Sequence, residues 1–409
     1  MSLKREYVAI EDLVDEIIDN RGKSVPTVEY GIPLIATNCI KHSSIFPTFE
    51  NIRYINQNTY DNWFRAHIRP NDILFVNKGT PGRSCIVPDP VNFVAAQDMV
   101  GLRFKLSYDP YYMLAVLRSS EIQTTIQNNH VGLVIPHFRK QELLKLKLPI
   151  VEVQLQKKIG DIFRIISERI EVNNQINDNL EALAKTIYDY WFVQFDFPDE
   201  NGKPYKSSGG RMVYNEVLKR EIPIDWEVKK LYEVSNITMG QSPSGGSLNK
   251  DQDGIFFFQG STDFGWRYPA NRVFTNAPTR FAKENDILLS VRAPIGAINL
   301  SFSKCCIGRG LAALNSKQGF SSFLLYQMNY FKKKFDLLNS VGTTFGSLTK
   351  DELHNLVLAY PSIDILAMFE KKVSILDIKV KNNSIQNQQL TKLRDWLLPM
   401  LMNGQVSVK

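Results

Sequence analysis

The amino-acid sequence predicts an α+β protein with two similar mixed α/β domains, each followed by a long α-helix. Three observations lead to this prediction. A passage of the first half recurs in the second half, a helical pattern of apolar residues follows each copy, and short apolar runs separated by turn residues precede it. A chain of 409 residues also exceeds what one hydrophobic core usually supports, so at least two domains are expected.

The repeat extends through most of the chain. The passage "VGLVIPHFRKQELLKLKLP" at 131–149 matches "VGTTFGSLTKDELHNLVLAYP" at 341–361, at an offset of 210 residues. The tetrapeptide "NDIL" occurs at 71–74 and again at 285–288, at an offset of 214. Near the start of each half Leu13 matches Leu231 and Gly22 matches Gly240, both at an offset of 218. The matches follow the same order in both halves while the offset falls, which indicates a duplication with a slightly shorter second copy.

Within each copy, short apolar runs such as "DILFV" and "DILLSV" predict strands separated by turns at Gly, Pro and Asn. The pattern of apolar residues also predicts one helix in each copy, over 109–129 and over 321–339, at the same place in the order of elements. Thr349 and Glu352 have the spacing of a capping box, whereas the first copy has Arg139 in place of the threonine. We therefore expect a first domain over residues 1–150, a loop-rich linker over 196–215 and a second domain over 216–361.

A helical segment follows each domain, at 151–195 and at 362–409. Its apolar residues recur in steps of three and four, and the pattern returns 210 residues later with Asn173 and Asn383 at equivalent places. Such stripes are most simply buried against each other, as an antiparallel coiled coil with pseudo-two-fold symmetry whose register the Asn residues fix. The alternative is two unrelated amphipathic helices. The predicted seam contains Ile159, Phe163, Ile166, Ile170, Asn173, Ile176, Leu180, Leu183, Ile187, Phe369, Val373, Leu376, Val380, Asn383, Leu390, Leu393 and Leu397.

Composition and charge limit the classes of function. With 44% hydrophobic and 22% charged residues, no run of 18 apolar residues and no apolar signal core, we expect a cytoplasmic protein rather than a membrane or secreted one. The formal net charge of +7 mildly favours a polyanionic partner. The four cysteines lack C-x-x-C spacing, which favours buried free thiols over a zinc site.

The common catalytic motifs are missing from the sequence. There is no G-x-x-x-x-G-K-[ST] loop, no H-E-x-x-H, no G-x-S-x-G and no glycine-rich cofactor loop or N-P-P-[FY] tetrapeptide. The five histidines show no ligand spacing. We therefore predict no catalytic residue, no metal site and no cofactor bound by this chain, and a binding protein fits better than an enzyme.

Positive and amide side chains cluster in loops beside the predicted strand ends. Reading double-stranded DNA requires cations for phosphates and amide or guanidinium groups for base edges. An exposed cation is more often simply solvated, so the loops are better predicted than the individual residues. The candidate DNA-binding residues are Asn38, Lys41, Asn77, Lys78, Thr80, Arg83, Gln97, Arg139, Lys140, Gln259, Ser261, Arg267, Tyr268, Arg272, Arg292, Arg309, Thr344 and Lys350.

This pattern resembles the specificity (S) subunit of type I restriction-modification enzymes. The resemblance covers nearly the whole chain. It rests on two similar domains, on the opening "IPIDWEVKKLYEV" at 222–234, on "NDIL" followed by a Pro/Gly turn in each half, and on "NN" in each helix, at 173–174 and 382–383. Each motif is loose by itself, and the ordered set occurring twice is specific.

The resemblance implies a division of labour. Each domain would be a target-recognition domain that reads one half of a bipartite, asymmetric DNA site, and the helix pair would set the spacing and dock two modification (methyltransferase) subunits. Those subunits would carry S-adenosylmethionine and methylate a flipped adenine, and restriction (translocase/endonuclease) subunits would use ATP and Mg²⁺. Recognition domains vary greatly within the family, so no base-reading residue can be assigned by motif.

Two other classes of function stay open at this point. A self-contained DNA-modifying enzyme is disfavoured by the missing motifs. A coiled-coil scaffold with protein-binding globular halves would show no sequence-selective DNA binding, and the basic charge favours it less.

Overall fold

The chain divides into two compact units. One comprises Met1–Asn177 together with Lys381–Lys409, and the other comprises Asp178–Val380. The computed structural model describes residues 5–20, 22, 24–132, 135–340 and 347–406, and of residues 338–340 the backbone only. Each unit contains one globular domain and a stretch of each long helix.

The first domain is mixed in secondary structure, and its helices and strands follow one another closely. A short 3₁₀ helix, Thr37–Cys39, follows its third strand. In chain order the elements are β1 (Glu6–Ala9), α1 (Ile10–Leu13), β2 (Val14–Ile18), β3 (Ile32–Ile35), β4 (Arg53–Ile55), α2 (Gln57–Trp63), β5 (Ile73–Val76), β6 (Ser84–Ile86), β7 (Val94–Ala95), β8 (Met99–Phe104), α3 (Pro110–Leu117), α4 (Ser120–Asn129), α5 (Lys140–Lys145) and β9 (Lys147–Ile150).

The rest of the chain contains the first long helix, a hairpin, the second domain and the second long helix. A π-helical turn, Asp189–Val193, continues the first long helix. In chain order the elements are α6 (Val153–Tyr188), β10 (Met212–Asn215), β11 (Arg220–Pro223), β12 (Glu227–Lys230), α7 (Leu231–Val234), β13 (Ser235–Met239), β14 (Leu248–Asn249), β15 (Ile255–Phe258), β16 (Phe274–Thr275), β17 (Phe281–Ala282), β18 (Ile287–Ser290), β19 (Ile298–Leu300), β20 (Cys305–Ile307), β21 (Leu311–Ser316), α8 (Ser321–Ser340), α9 (Lys350–His354), β22 (Val357–Tyr360) and α10 (Ile363–Met402).

The two domains have the same central sheet. In the first domain it is four-stranded and antiparallel with the order β2-β8-β5-β6, and in the second it has the order β13-β21-β18-β19. A second sheet in each domain contains one parallel pair, β3 with β7 or β15 with β20. The first strand of each domain pairs antiparallel with its last, β1 with β9 and β12 with β22. The predicted α+β class with two similar domains is confirmed.

Local sequence explains most of the differences between the copies. The predicted helix over 109–129 is divided into α3 and α4, because Ser119 takes an extended backbone and its hydroxyl accepts a hydrogen bond from the Ile122 N–H. The second copy keeps one helix, α8. The capping box is confirmed, since Thr349 Oγ1 accepts from the Glu352 N–H at 3.2 Å and Glu352 Oε2 accepts from the Thr349 N–H at 2.8 Å. Arg139 provides no such cap.

Between the halves, the last four residues of the predicted linker form strand β10, which pairs with β11 as a hairpin. The first long helix has 36 residues and the second has 40. All four cysteines are buried free thiols, as predicted.

The two long helices are antiparallel where they meet in the first unit. The Asn173 side-chain amide donates to Gln386 Oε1 at 2.7 Å and to Asn387 Oδ1 at 2.8 Å, and the Asn383 amide donates to Asn177 Oδ1 at 2.9 Å. Residue numbers therefore rise on one helix as they fall on the other. Asn387 also donates to Asn174 Oδ1 at 2.8 Å.

The predicted seam needs correction beyond Asn173. Asn177, Ala184 and Tyr188 are buried on α6, whereas the predicted Ile176 and Leu183 are exposed. The apolar pattern favoured Ile176 because it is the apolar residue of the two. The buried stripe keeps the 3.5-residue period of a coiled coil, and this period places Asn177 in the seam. On α10 the predicted Phe369, Val373, Val380 and Asn383 are buried. Leu393 is exposed there.

Each unit has its own core around the long helices. In the first unit, Ile159 and Phe163 of α6 and Leu401 and Met402 of α10 pack into the core of the first domain. In the second unit, the core includes the helix residues Ala184, Tyr188, Leu366, Phe369 and Val373. The helices are therefore part of both domain cores and are not separate from them.

Candidate nucleic-acid interface

In each domain, one end of the central sheet collects polar loops, and we call this end the polar edge. In the second domain it comprises residues 240–242, 259, 291–292, 308–310 and 347–350. The Gly240 N–H donates to the Leu311 carbonyl at 2.9 Å, Val291 N–H to Gly310 O at 2.9 Å, and Leu348 N–H to Val291 O at 2.7 Å. These bonds hold four separate stretches of chain side by side.

The first domain has the corresponding polar edge at residues 19–20, 77–83, 97–98 and 136–140. The Asn77 N–H donates to the Asp98 carbonyl at 3.0 Å, and the Phe138 N–H donates to the Asn77 carbonyl at 2.8 Å. The Gly79 N–H donates to the Pro136 carbonyl at 2.9 Å. The loops that follow β5, precede β8 and precede α5 therefore meet at one place.

Strand pairing fixes which residues of the two polar edges are equivalent. The parallel pairs align Ile35 with Ala95 and Phe258 with Ile307. Two residues beyond each partner strand lie Gln97 and Arg309, which are therefore structural equivalents. By the same argument Lys78 is equivalent to Arg292, since β5 and β18 pair in the same way with β8 and β21.

Glycines pack tightly around the polar edge of the second domain. The Ser242 hydroxyl donates to Gln259 Oε1 at 2.9 Å and accepts from the Arg309 N–H at 3.3 Å. A Cβ added at Gly308 would lie 2.5 Å from Gln259 Oε1, and one at Gly310 would lie 2.5 Å from the Gln259 carbonyl oxygen. Side chains larger than hydrogen do not fit there, and the backbone that carries Arg309 is held in place.

Ser242 was not among the predicted residues, and the match of Gly22 with Gly240, two residues before it, could have located it.

In the first domain the polar edge contains acceptors without donors. Asn77 donates its side-chain amide to the Phe138 carbonyl at 3.2 Å. Its Oδ1 atom and the Oε1 atom of Gln97 are buried and have no hydrogen-bond partner among the residues that the structure describes. An unpaired buried acceptor is costly in free energy, so each of these oxygen atoms would gain from a donor brought within reach.

Several of the predicted cations at the polar edges are exposed and unpaired. Within the described parts of the chain, no acidic side chain pairs with Lys78, Arg139, Arg292, Arg309 or Lys350, and all five are exposed. Lys140, by contrast, forms an ion pair with Asp19 at 2.7 Å. The remaining predicted residues at or next to the polar edges are Thr80 and Arg83 in the turn after β5, and Ser261 in the short 3₁₀ helix after Gln259.

Other predicted residues lie away from the polar edges or are already occupied. The Asn38 amide donates to the Glu50 carbonyl at 2.8 Å, and Lys41 pairs with the Glu50 carboxylate. Arg272 pairs with Asp263. Tyr268 packs against the core of the second unit, where burial raises its pKa to about 12. Thr344 lies outside the described residues.

Arg267 is a correction to the predicted interface. Its side chain is only 4% exposed and forms ion pairs with Glu181 of α6 and Asp377 of α10. Burial by itself lowers the pKa of Arg267, but the Asp377 carboxylate and its other partners raise it above the usual range. A guanidinium that is enclosed in this way anchors the domain to the helices of its own unit and is not available to a ligand.

The described residues offer neither a metal centre nor a membrane-spanning helix. No group of three or more His, Cys, Asp or Glu side chains is arranged to hold a metal ion. No helix has the length and apolar content needed to cross a lipid bilayer.

Comparison with known proteins places the chain in a family. The model of the type I restriction modification DNA specificity domain matches residues 6–182 and again residues 223–394. The chain belongs to this family. Each matched segment contains one domain and most of a long helix, so the predicted duplication and the predicted resemblance are both confirmed.

Individual relatives agree with this assignment. The candidate specificity subunit of the type I restriction enzyme MjaX from Methanocaldococcus jannaschii is 28% identical over 417 residues, covering 99% of this chain and 94% of that protein. The MjaIX specificity subunit of the same organism is 25% identical over 313 residues, covering 73% and 69%. A crystal structure of the type I S subunit from M. genitalium shares the fold, with a TM-score of 0.60 at 16% identity over 98% of this chain and 96% of that one.

Proposed function

We propose that this chain is the DNA sequence-recognition subunit of a type I restriction-modification complex, in which each domain reads one half of a bipartite, asymmetric site. The observation that carries the proposal is the pair of polar edges. They have the same strand framework but different side chains at equivalent positions, such as Gln97 and Arg309. Two similar domains with different contact residues suit two different short DNA sequences.

The exposed cations of the polar edges supply the general affinity. Lys and Arg that neutralise phosphates release counterions, so binding weakens steeply as salt rises. Amide and guanidinium groups beside them, such as Gln259 and Arg309, offer hydrogen bonds to base edges, each good bidentate pair giving ~1–3 kcal/mol of discrimination. The loops around Ser242 hold the second domain's donors in fixed positions before DNA arrives.

The long helices provide the surface for partner subunits in this proposal. Ile165 and Ile375, which are 210 residues apart, are 61% and 64% exposed, and the equivalent pair Leu183 and Leu393 are 49% and 44% exposed. Large apolar side chains retained on the outside of both helices fit a docking surface that is used twice. We assign it to two modification subunits.

Catalysis belongs to the partners in this proposal. The modification subunits would bring S-adenosylmethionine, and restriction subunits would bring ATP and Mg²⁺, while this chain would bind no cofactor of its own. The sequence lacks the motifs that these chemistries use. Purified chain incubated with DNA and S-adenosylmethionine, or with DNA and Mg²⁺, is expected to leave the DNA unchanged.

The decisive experiment is a selection from random duplexes, using the tagged chain co-purified from its host with the proteins that bind it. We expect two short, different blocks of specified bases separated by a gap of fixed length. A single block would mean that only one domain recognises DNA. Enrichment of no sequence, with binding that falls uniformly as salt rises, would contradict the proposal and favour the scaffold alternative.

A further inference from the structure

We propose that Arg309 reads a guanine in the half-site of the second domain, and that its structural equivalent Gln97 reads an adenine in the half-site of the first. This inference rests on the proposed function and adds the base class at one position of each half-site. It identifies one residue pair that makes the two half-sites different.

The argument begins with the equivalent positions of the two polar edges. Lys78 and Arg292 are equivalent and both positively charged, so they suit phosphates, which are the same in every sequence. Gln97 and Arg309 are equivalent but chemically different. A position at which the framework is kept and the hydrogen-bonding pattern changes is the place where two domains can read two different bases.

The chemistry of the two side chains assigns the bases. The guanidinium group presents two parallel N–H donors, which match the O6 and N7 acceptors of guanine in the major groove. The Gln side chain presents one donor and one acceptor, which match N7 and the N6 amino group of adenine. The opposite assignment would leave an acceptor of guanine or a donor of adenine without a partner.

The surroundings of Arg309 leave its guanidinium available and its backbone fixed. The side chain is exposed and, among the described residues, has no carboxylate partner, in contrast to Arg267 and Arg272 of the same domain. Its N–H donates to Ser242 Oγ, and its neighbours Gly308 and Gly310 are packed against Gln259. Because the backbone at Arg309 is already ordered, less conformational entropy is lost when its side chain binds.

Gln97 is placed in the corresponding way. It is half-buried, and its Oε1 atom has no donor among the residues that the structure describes. The next residue, Asp98, is held because its carbonyl accepts from the N–H groups of Asn77 and Lys78 at 3.0 and 3.3 Å. When the half-buried side chain turns outward, the adenine amino group would supply the donor that the Gln97 oxygen lacks.

The test is the same random-duplex selection, with the co-purified complex carrying Arg309→Gln or Gln97→Arg. We expect Arg309→Gln to lower the preference for guanine at one position of one block by roughly 5- to 150-fold, the range set by one bidentate contact. Gln97→Arg should replace adenine by guanine at one position of the other block. In each case the second block and the gap should stay unchanged.

Two further variants separate a base contact from a phosphate contact. Arg309→Lys keeps the charge but loses the rigid two-pronged geometry, so it should weaken the guanine preference while non-specific affinity persists. Arg211→Gln removes an exposed arginine of the linker, outside the polar edge but in the same compact unit, and should leave every selected base unchanged. Thermal melting of each complex checks that the variants fold.

The outcomes distinguish this inference from the proposed function. If the unmodified complex selects two blocks but Arg309→Gln weakens binding to all sequences equally, Arg309 contacts phosphate and the inference is overturned while the proposed function stands. Retention of the full guanine preference by Arg309→Gln would overturn it in the same way. If the unmodified complex selects no two-block motif, the proposed function itself fails and the inference fails with it.

Discussion

Arg267 illustrates how a single residue can be assigned to the wrong role from sequence. In the loop "DFGWRYP" it resembles an exposed basic residue beside a strand end. In the structure its guanidinium lies between the Glu181 and Asp377 carboxylates, and its backbone carbonyl accepts from the Leu300 N–H at 2.8 Å. Burial raises the pKa of Glu181 above its ordinary value, and the Arg267 charge partly offsets this rise.

Replacing this arginine tests its anchoring role. We expect Arg267→Ala to lower the free energy of unfolding of the second unit by about 3 kcal/mol, because two half-buried carboxylates lose a buried cation. Urea unfolding at neutral pH measures this cost. The matched control is Arg272→Ala, which breaks the more exposed pair with Asp263 and should cost at most about 1 kcal/mol. Equal costs for the two variants would show that burial of the pair does not matter.

The cost of Arg267→Ala should also depend on pH. Without the arginine, burial raises the pKa of Glu181 further above its value in the unfolded chain, so the folded variant binds this proton more tightly. The contribution of Glu181 to the stability of the variant is then fully present at low pH and is lost as pH rises through the raised pKa. Unfolding measured between pH 4 and 7 should show the gap between variant and parent protein closing at the acidic end.

At the scale of elements, the buried Asn side chains between the two long helices are polar, and all of them are hydrogen-bonded. Asn173, Asn177 and Asn383 are all buried, and each forms a side-chain hydrogen bond across the helix pair within the first unit. A paired buried amide adds little net stability, whereas an unpaired one is costly. The cluster therefore favours one register over alternatives that would leave these amides unpaired.

A double-mutant cycle on one pair tests this account. Asn177→Leu alone should destabilise the protein by about 1–3 kcal/mol, because the Asn383 amide stays buried without its acceptor. Asn177→Leu combined with Asn383→Leu should recover most of the loss, since both polar groups are then removed. Thermal or urea unfolding of the single and double variants measures the coupling. Simple addition of the two single costs would contradict the pairing argument.

The control for this cycle is an exposed amide pair on a short helix. Asn62 donates its side-chain amide to Asn58 Oδ1 at 2.8 Å on α2, and both side chains are exposed. Asn62→Leu should change the stability by no more than about 0.5 kcal/mol.

At the scale of the whole molecule, each compact unit has its own core and its own polar edge. Replacing residues 1–150 by the corresponding domain of another family member should change one block of the selected DNA motif and leave the other block and the gap unchanged. The junction falls between β9, which ends at Ile150, and α6, which begins at Val153. The random-duplex selection measures the result, and a change in both blocks would contradict independent recognition by the two domains.

The exchange also has a structural requirement. Ile159 and Phe163 of α6 and Leu401 and Met402 of α10 pack into the core of the first domain, so a donor domain must present a compatible apolar surface to them. Co-purification and melting of the exchanged chain establish that it folds before its DNA motif is interpreted.

The sequence by itself determined the duplication, the order of strands and helices, the capping box at Thr349 and the loops that form the polar edges. These features depend on local composition and periodicity, which a single chain displays directly. Even the equivalence of Lys78 and Arg292 follows from the spacing of "NDIL" in the two halves.

Only the tertiary structure decided which polar residues are buried, and with which partners. Ile176 and Asn177 are adjacent in the sequence, and either could lie in the seam by pattern. Asn177 is the buried one because it accepts a hydrogen bond from the amide of Asn383, 206 residues away. Arg267 is enclosed because Asp377, 110 residues further along, lies opposite it. The equivalence of Gln97 and Arg309 likewise required the register of the parallel strands. Burial and pairing arise from contacts between distant parts of the chain, and local patterns carry no information about those contacts.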